Sequence, residues 1–368
     1  MFIERLNTTG FKNISDADLS FSKGFNCLTG NNGAGKTNLL DAIYMLSMCR
    51  SAFSVNDSQC VRHGEKFFSV KGYYDMDGAS HNVFCNYSQG KKVLKYDGKP
   101  YSKLSDHIGL IPVVMISPKD NELIDGMSDV RRKWMDSVIS QGDPVFLKDL
   151  VRYAKILLQR NTLLKKYPDP ARCRKEEFEM WDVQLVSLCE KIVSRRTAFL
   201  EKFTVLFNFY YSSLSPEEEK VSIRYRNSLG TFENYEKALE ETFSRDIALG
   251  YTTVGVHRDD IHLDLGGYPV KRIGSQGQKK SFLVALKLAQ YSWLSGLSGR
   301  KPLLLLDDIF DKLDSSRVKN ILDLVGGEAF GQIFITDTER THIEDIVAQT
   351  GWDYKLFTVS HGEVSEWI

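Results

Sequence analysis

The 368-residue chain carries 48 basic and 48 acidic side chains, a formal net charge of zero, and 42% of its residues are hydrophobic. This composition fits one large or two ordinary domains with a sizeable core, and it excludes a general attraction to nucleic acid, so any DNA contact must rest on local basic patches. The sequence shows neither a membrane-spanning apolar run nor a signal peptide, so we expect a cytoplasmic protein without a membrane partner. Its six cysteines show no close pairing, so we expect reduced thiols.

The N-terminal third of the sequence predicts mixed α/β structure. The apolar segment Phe25–Thr29 predicts a short strand, and a glycine-rich loop and an apolar helix from Thr37 to about Cys49 follow it. Alternating apolar residues between turn signals predict further strands at 67–75, 81–88 and 92–96, and an apolar strand at 111–116 ends this region.

Helical periodicity dominates from about Asp120 to Phe243. Apolar residues of one long stretch recur at steps of three, four and seven, which places them on a single stripe of a helix. These residues are Trp181, Leu185, Leu188, Ile192, Phe199, Phe203, Leu206 and Tyr210. A long coiled-coil arm would need many more heptads, so the segment predicts a compact helical lobe.

Strands return from Thr252 onward, with apolar runs at 303–306, 332–336 and 355–359. This order predicts an α/β domain interrupted by a helical insertion. We therefore expect an N-terminal lobe over residues 1–118, a helical insertion domain over 119–250 and a C-terminal lobe over 251–368, with the two lobes forming one discontinuous domain.

The glycine-rich loop has the spacing G-x-x-x-x-G-K-T between a predicted strand and a predicted helix, which is the context of a phosphate-binding loop. It consists of Gly30, Asn31, Asn32, Gly33, Ala34, Gly35, Lys36 and Thr37, followed by Asn38. Glycines allow backbone N–H groups to turn toward a phosphate; Lys36 would lie beside the β- and γ-phosphates, and Thr37 would bind Mg²⁺. We predict ATP and Mg²⁺ as the ligands; the alternative is a chance glycine-rich turn.

A run of four leucines before two aspartates is the second signal. Leu303–Leu306 predicts a strand buried on both faces, whose C-terminal end faces the ligand crevice of the sheet. Asp307 would bind Mg²⁺, and Asp308 would position or deprotonate the attacking water. Taken alone, an apolar run before two aspartates is a plain strand that enters a turn as often as it is part of a Mg²⁺ site. Asp311 and Asp314 follow, on a stretch that could line a nucleotide-facing loop.

A third signal lies just before the amphipathic helix predicted at 279–294. It consists of Ser275, Gln276, Gly277 and Gln278, and a serine and a glycine at a helix start can bind an anion. Since Lys36 already serves the phosphates within one subunit, a second anion site is most useful in the pocket of a neighbouring subunit. A plain serine cap of the helix is the alternative, and for these residues alone it is the more common one.

Together, Lys36, residues 275–278 and Asp307–Asp308 resemble the head domains of ABC-type ATPases, and residues 275–278 are similar to their signature motif. Lys36 and Ser275 are 239 positions apart (275 − 36), which is far longer than in transporter subunits and similar to the SMC-like DNA-repair group. Within that group the chain resembles the RecF family nearly end to end. Further segments that carry this likeness are 11–13, 30–41, 117–120, 126–136 and 255–260.

The chain departs from the pattern of that family in three places. The family usually has Arg where this chain has Lys12, and Glu where it has Asp41. The Ser-Phe-Arg that follows its P-loop helix is Ser51-Ala52-Phe53 here, so Arg50 or Arg62 is a candidate replacement for the missing arginine.

The resemblance implies a P-loop ABC-type ATPase head, a mixed sheet with flanking helices, interrupted by a helical insertion domain. It implies a homodimer that holds ATP between the P-loop of one head and Ser275 and Gly277 of the other, and that clamps double-stranded DNA near gaps. Weak, DNA-stimulated hydrolysis through Asp308, with Lys36, would release the clamp. The implied partners are RecR, with RecO and RecA, in gap repair and replication restart. Thr336 matches the position that senses the γ-phosphate, although a β-branched strand end is an equal alternative.

Two other groups of residues have alternative interpretations. The acidic and histidine residues of 257–264 suggest a metal site, but on a strand His257 and Asp259 would face away from Asp260, His262 and Asp264, so we predict none. The basic clusters 131–133, 172–175 and 195–196 are either phosphate contacts or solvated helix faces.

Two further function classes stay open. The chain could be the ATP-binding subunit of a membrane transporter, although the 239-residue separation (275 − 36) argues against it. It could also be a scaffold that binds nucleotide without hydrolysing it, because Asp308 stands where such sites usually have glutamate.

Overall fold

The computed structural model describes residues 1–167, 174–215, 219–309, 315–338 and 353–367. Its strands, in chain order, are β1 (Phe2–Phe11), β2 (Ile14–Ser20), β3 (Phe25–Thr29), β4 (Phe67–Met76), β5 (Ala79–Ser88), β6 (Lys91–Tyr96), β7 (Lys99–Pro100), β8 (Val113–Ile116), β9 (Val221–Arg226), β10 (Asp260–Leu265), β11 (Tyr268–Pro269), β12 (Leu303–Asp307), β13 (Ile333–Asp337), β14 (Tyr354–Ser360) and β15 (Glu363–Glu366). Its helices are α1 (Lys36–Met48), α2 (Glu122–Asp125), α3 (Ser128–Gly142), α4 (Pro144–Leu164), α5 (Glu176–Leu214), α6 (Tyr235–Leu249), α7 (Val270–Ile273), α8 (Gln276–Ser298) and α9 (Ser315–Val325).

The contacts within the chain divide it into two compact units. Over the described residues, unit one comprises 1–121, 209–216 and 276–368, and unit two comprises 122–208 and 217–275. Residues 251–275, which the sequence placed in the C-terminal lobe, therefore belong to unit two. The reason is that β10 pairs along its whole length with β9, which lies in the predicted insertion.

Unit one contains two six-stranded sheets. Sheet one is antiparallel, in the order β2-β1-β4-β5-β6-β7. Sheet two has the order β15-β14-β3-β13-β12-β8, in which every pairing except β14 with β15 is parallel. The strands at its centre read as continuous apolar runs, and β3, β12 and β13 are buried at every residue, as expected of parallel strands covered on both faces.

Helix α1 packs against β1, β4 and β5 of sheet one and against β8, β12 and β13 of sheet two. It is buried almost all round, through Leu39, Leu40, Ile43, Met45 and Leu46 among others. A helix that is apolar on every side belongs in a core rather than at a surface. The core of unit one therefore fixes α1, and with it the loop that precedes the helix.

Unit two contains α2 to α4, α6, α7, most of α5 and a small antiparallel sheet in the order β11-β10-β9. The predicted apolar stripe of α5 is largely buried, with only Trp181 and Leu206 half-buried. Strand β9 was missed, because its six residues lie inside a region where helical periodicity dominates. In the described part of the chain, none of the helices is long and apolar enough to cross a membrane.

Candidate nucleotide-binding site

Three neighbouring strands of sheet two end at the candidate site. Strand β13 lies between β3 and β12, and all three run parallel. Thr336 of β13 pairs in register with Asp307 of β12, and Asp337 pairs with Thr29 of β3. The carboxyl ends of parallel strands meet at one edge of the sheet, where open α/β sheets bind their ligands. The topology therefore brings the predicted phosphate loop and the predicted acidic pair together.

Two glycines of the loop are required by their surroundings. Gly30 has φ of 152°, and a Cβ there would lie 2.2 Å from the carbonyl oxygen of Val359 in β14. Gly35 has φ of 122°, and its Cβ would lie 2.8 Å from Oδ1 of Asn13. L side chains rarely adopt these angles, and neither position has room for one. The loop can therefore turn closely against its neighbours before it enters α1.

Asn13, in the turn between β1 and β2, holds the loop from outside. Its Nδ2 donates to the carbonyl oxygens of Gly33 (3.3 Å) and Ala34 (3.1 Å), and its Oδ1 accepts from Nδ2 of Asn38 (2.7 Å). The sequence assigned no role to Asn13. The available signal was its place in the segment 11–13, which carries part of the family resemblance.

The Lys36 ammonium lies inside the curve of its own loop. It donates to the carbonyl oxygens of Gly30 (2.5 Å) and Asn31 (3.1 Å). Burial lowers the pKa of Lys36, and the nearby carboxylates of Asp308, Asp307 and Asp337 oppose that change. Its position at the start of α1 adds the positive end of a helix to the same place, so the loop provides a favourable environment for an anion.

Thr37 and Asp307 are in direct contact. The Thr37 hydroxyl donates to Oδ1 of Asp307 at 2.8 Å, and the Thr336 hydroxyl donates to the same atom at 2.9 Å. Asp307 is 3% exposed. Burial raises the pKa of its carboxyl, and the two hydroxyl hydrogen bonds oppose that rise. A hydroxyl and a carboxylate at this distance are the oxygen ligands that Mg²⁺ prefers, so these residues fit the predicted metal ion.

Asp308 adopts a left-handed backbone conformation, with φ of 50°. Its backbone N–H donates to the Thr336 hydroxyl at 3.0 Å, which in turn donates to Asp307. One threonine on the middle strand therefore fixes both aspartates of the acidic pair. This contact gives Thr336 a structural role, whereas sensing of a γ-phosphate stays a prediction.

These residues surround one cavity. It has a volume of about 180 Å³ and is lined by Asn32, Gly33, Ala34, Gly35, Lys36, Thr37, Asn38, Asp307, Asp308 and Thr336. The lining thus combines the backbone of a glycine-rich loop and a lysine with two carboxylates. Such an arrangement can hold a phosphate group together with a divalent cation.

Comparison with known proteins decides the family. The family described as RecF/RecN/SMC N terminal domain matches residues 2–361. The DNA replication and repair protein RecF of Bacteroides fragilis (strain YCH46) is 46% identical over 368 residues, which is 100% of this chain and 98% of that protein. The chain belongs to the RecF family. A RecF protein of Flavobacterium johnsoniae is 43% identical over 364 residues, covering 98% of this chain and all of the relative.

Solved structures support the same assignment. One described as the recombination mediator protein RecF-ATPrS in the RecFOR pathway has a TM-score of 0.89 at 31% identity, and covers 100% of this chain and 98% of its own. An Smc head bound to the C-winged helix domain of ScpA has a TM-score of 0.58 at 17% identity, covering 100% and 98%; it shows the fold alone. The predicted ATPase head fold with an insertion and the resemblance to RecF are therefore confirmed.

Two of the three residues or segments expected to depart from the RecF pattern, Lys12 and Asp41, contact each other. Nζ of Lys12 lies 2.6 Å from Oδ2 of Asp41. Asp41 also accepts hydrogen bonds from the hydroxyl of Ser51 (2.6 Å) and the backbone N–H of Ala52 (2.7 Å). The loop 51–53 is therefore hydrogen-bonded to Asp41. The ring of Phe53 lies 5.3 Å from the Lys12 ammonium.

The signature-like residues 275–278 lie at the start of α8. Ser275 directly precedes the helix, and Ser275 and Gln276 are exposed. None of these four residues is among those that line the cavity in the described part of the chain. Their predicted role in the site of a second subunit stays a prediction.

Two arginines of the basic clusters in unit two have a different role from either predicted one, whereas the exposed Lys133, Arg174 and Lys175 leave both predictions open. The Arg131 guanidinium pairs with Asp260 at 2.9 Å, and Arg196, which is 2% exposed, lies between Asp136 (2.8 Å) and Asp259 (2.9 Å). Arg196 is neither a phosphate contact nor a solvated residue, because its charge is neutralised inside the unit. Within the predicted clusters, Arg172 lies outside the described residues, as do Asp311 and Asp314.

His257 and Asp259 lie before β10 rather than on it, which corrects their predicted place on a strand. Nδ1 of His257 accepts from the Tyr153 hydroxyl at 2.6 Å, and its Nε2 lies 3.0 Å from the carbonyl oxygen of Thr252. Among the described residues, no group of three or more His, Cys, Asp or Glu side chains is arranged to hold a metal ion.

Proposed function

We propose that this RecF-family protein is an ATP-dependent recombination mediator. In this proposal it dimerises on ATP, binds double-stranded DNA near gaps, and helps to load the recombinase in gap repair and replication restart. The observation that carries the proposal is the joint contact of Thr37, Asp307 and Thr336 below the phosphate loop. It is supported by the relatives named DNA replication and repair protein and by the structures titled RecF-ATP and RecF-ATPrS in the RecFOR pathway.

Within one subunit, the loop residues 30–38 would hold the phosphates, with Lys36 beside the β- and γ-phosphates. Thr37 and Asp307 would hold Mg²⁺, which when bound neutralises phosphate charge. Asp308 would orient the attacking water and accept its proton. The bond from its backbone N–H to Thr336 holds Asp308 at the edge of the cavity, which favours this role.

Ser275 and Gly277 would contact the nucleotide held by the P-loop of a second subunit. Ser275 is exposed and Gly277 is half-buried at the start of a long helix, which suits a contact made between subunits. Because both subunits supply half of each site, ATP would be needed for dimerisation, and hydrolysis would release the dimer from DNA. RecR, with RecO and RecA in the same process, would be the protein partners, in the cytoplasm.

Retention of gapped duplex DNA should be measured with ATP, with ADP and without nucleotide. The proposal requires stronger retention with ATP, because only ATP would join the two subunits. Equal retention in all three conditions would show that DNA binding does not depend on the nucleotide state and would exclude the proposed clamp.

Sedimentation with and without ATP tests the shared site. The wild type should shift from monomer to dimer on ATP, and Ser275→Arg should stay monomeric while it still binds ATP. A Ser275→Arg protein that dimerises like the wild type would contradict the shared site.

A scaffold that does not hydrolyse ATP is the second candidate, because Asp308 is shorter than the usual glutamate. Turnover measured with and without DNA separates the two functions. Slow turnover that Asp308→Asn abolishes supports the ATPase, whereas no turnover and no effect of Asp308→Asn on DNA release supports the scaffold. The transporter alternative would instead require an integral membrane partner and indifference to DNA.

A further inference from the structure

Helices α5 and α6 of unit two border a groove that the nucleotide site does not use. It has a volume of about 490 Å³, within the range of cavities that bind ligands. Five of the residues that α5 contributes recur at steps of three and four, so they lie on one face of the helix. This face extends over 14 positions (190 − 176), or about 21 Å at about 1.5 Å per residue. Its residues are Glu176, Glu179, Val183, Val186 and Glu190.

The opposite wall is one turn of α6, from which Glu236, Leu239 and Glu240 line the groove. The ring of Phe178 in α5 packs edge-on against that of Phe243 in α6, with the ring centres 5.1 Å apart. This contact holds the two helices together, so the groove is present without a ligand.

The groove offers apolar surface that the protein itself does not cover. Val183 is 65% exposed, and Val186, the next residue along the same face, is half-buried. Leu239 adds a buried aliphatic side chain from α6. Because removal of apolar surface from water is favourable, this surface favours a ligand with aliphatic side chains.

Carboxylates outnumber cations around this apolar surface. Six carboxylates and one ammonium group line the groove. Two of the carboxylates are neutralised, Asp182 by Arg160 (2.6 Å) and Glu240 by Lys175 (2.6 Å). The other four are exposed, and within the described ranges none of them forms an ion pair: Glu176, Glu179, Glu190 and Glu236.

The charge of the groove determines which ligands suit it. Arg174 and Lys191 adjoin the α5 face in sequence, but neither lines the groove. Four carboxylates without cations repel phosphate groups, so the groove does not suit nucleic acid. Nor does it suit a metal ion, because no group of three or more acidic, histidine or cysteine side chains is arranged to hold one in the described part of the chain. The ligand that fits is a cation with an apolar side.

We propose that the groove between α5 and α6 binds a basic amphipathic helix of a protein partner. Aliphatic side chains on one face of that helix would cover Val183, Val186 and Leu239, and lysines or arginines on its flanks would pair with the four glutamates. Amphipathic helices bind in this way when their apolar face enters a groove. The groove lies within unit two and includes no residue of the phosphate loop, so binding should not need ATP.

The probe is a fluorescein-labelled peptide of leucine and lysine, about 18 residues long, with the leucines at helical spacing on one face. Fluorescence anisotropy measures its binding to the full-length protein without nucleotide. Binding should be stronger at about 0.1 M than at about 1 M NaCl, because about 1 M salt reduces the range of charge attraction to about 3 Å. A peptide of the same composition in scrambled order has no apolar face and should bind about tenfold more weakly.

Glu179→Gln with Glu236→Gln removes one charge from each helix. This double variant should weaken peptide binding about fivefold at about 0.1 M NaCl and much less at about 1 M. Glu201→Gln with Glu241→Gln is the matched control, because it also changes one exposed glutamate on each helix but lies outside the groove. The control should leave the affinity unchanged.

Val183→Ser removes apolar surface without a change of charge. It should weaken binding about tenfold at both salt concentrations. Val205→Ser is its control, since Val205 is 70% exposed on the same helix but does not line the groove. Thermal unfolding shows that each variant is folded, as expected where every substituted side chain is exposed.

Equal binding of the ordered and the scrambled peptide would overturn the proposal, because the apolar face would then not matter. Unchanged affinity in folded Val183→Ser and in the Glu179/Glu236 variant would overturn it as well. Displacement of the peptide by spermidine, at the same concentration of positive charge, as efficient as that by unlabelled peptide would reject a helix in favour of small cations. ATP-dependent dimerisation and retention of gapped DNA should be the same in all variants, so failure here is distinguishable from failure of the proposed function.

Discussion

Lys12 and Asp41, two positions at which the sequence is expected to depart from the RecF pattern, form an ion pair of 2.6 Å between Nζ and Oδ2. The Asp41 side chain is fully buried and that of Lys12 is 12% exposed. Asp41 in turn holds the loop after α1 through Ser51 and Ala52. The Lys12–Asp41 pair therefore joins the turn after β1, helix α1 and the loop 51–53 through side-chain contacts.

Substitution of Lys12 alone should lower the free energy of unfolding more than substitution of both Lys12 and Asp41. Lys12→Met leaves the buried Asp41 carboxylate without its cation, which costs about 3–5 kcal/mol when a buried pair is broken from one side. In Lys12→Met/Asp41→Asn no buried charge remains, and Asn can still accept one of the two hydrogen bonds that Ser51 and Ala52 donate to different oxygens of Asp41, so part of the lost stability should return. Urea denaturation provides the free energies of unfolding. Lys23→Met is the control for an exposed lysine, and a double variant less stable than Lys12→Met would contradict the expectation.

Asn13 should control nucleotide affinity without touching the nucleotide. Asn13→Ala removes two hydrogen bonds to the loop carbonyls and the bond from Asn38. We expect ATP affinity to fall about tenfold, equivalent to about 1.4 kcal/mol. Asn13→Asp should be worse than Asn13→Ala, because a carboxylate would face the carbonyl oxygens of Gly33 and Ala34. Isothermal titration measures both, and an Asn13→Asp protein that binds ATP like the wild type would contradict the role assigned here.

The sequence identified most residues that line the candidate cavity because they lie in local patterns. The phosphate loop is a fixed spacing between a strand and a helix, and the run Leu303–Leu306 shows by composition alone that it is buried on both faces. The strand predicted at 25–29 has the same bounds in the structure. Asn13 was missed because its contacts with Gly33, Ala34 and Asn38 join segments that no local pattern connects.

Unit two was harder to predict for the same reason. The pair Arg195–Arg196 has the appearance of a solvated helix face, yet Arg196 is buried between Asp136 and Asp259, each at least sixty positions away in the chain. Strand β9 is recognisable only through its pairing with β10. Six residues of alternating polarity inside a helical region do not by themselves predict a strand. Pairing over long separations, rather than periodicity, sets the boundary of this unit.

Asp307→Asn should stabilise the nucleotide-free protein and abolish its response to ATP. Burial raises the pKa of Asp307, so its ionised form is less favoured in the folded than in the unfolded chain. The contribution of this group to stability is complete below the ordinary carboxyl range and is lost as pH rises through the raised pKa. At neutral pH the wild type therefore loses folding free energy by burying an ionised carboxylate, and Asn avoids this loss. The Asn side chain can still accept hydrogen bonds from Thr37 and Thr336.

Thermal unfolding from pH 4.5 to 7.5, with and without ATP and Mg²⁺, tests this expectation. Without ligand, the variant should have the higher Tm at pH 7.5, and the difference should shrink toward low pH. With ATP and Mg²⁺ at 100 times Kd the wild type should gain about 2.7 kcal/mol, and the variant should gain far less. A variant that is less stable than the wild type at pH 7.5 would contradict the assigned cost of the buried carboxylate.

His257 should make the folded protein sensitive to mild acid. Burial lowers the pKa of His257 to about 4, while Nδ1 accepts from Tyr153 and Nε2–H donates to the carbonyl oxygen of Thr252, which requires the neutral ring. The unfolded chain gains the proton near pH 6.5 and the folded chain only near pH 4. The stability due to the neutral ring is thus complete above pH 6.5 and is lost as pH falls from there to about 4, by up to about 3 kcal/mol.

His257→Gln tests this directly, because Gln offers an acceptor and a donor for Tyr153 and Thr252 but does not titrate. The free energy of unfolding should fall less steeply for the variant than for the wild type between pH 6.5 and 4, and the two curves should run in parallel above pH 7. Carboxylates that titrate in the same window are common to both proteins, so they cancel in the comparison. Curves that stay parallel down to pH 4 would show that the His257 ring takes up its proton in the folded state as readily as in the unfolded chain.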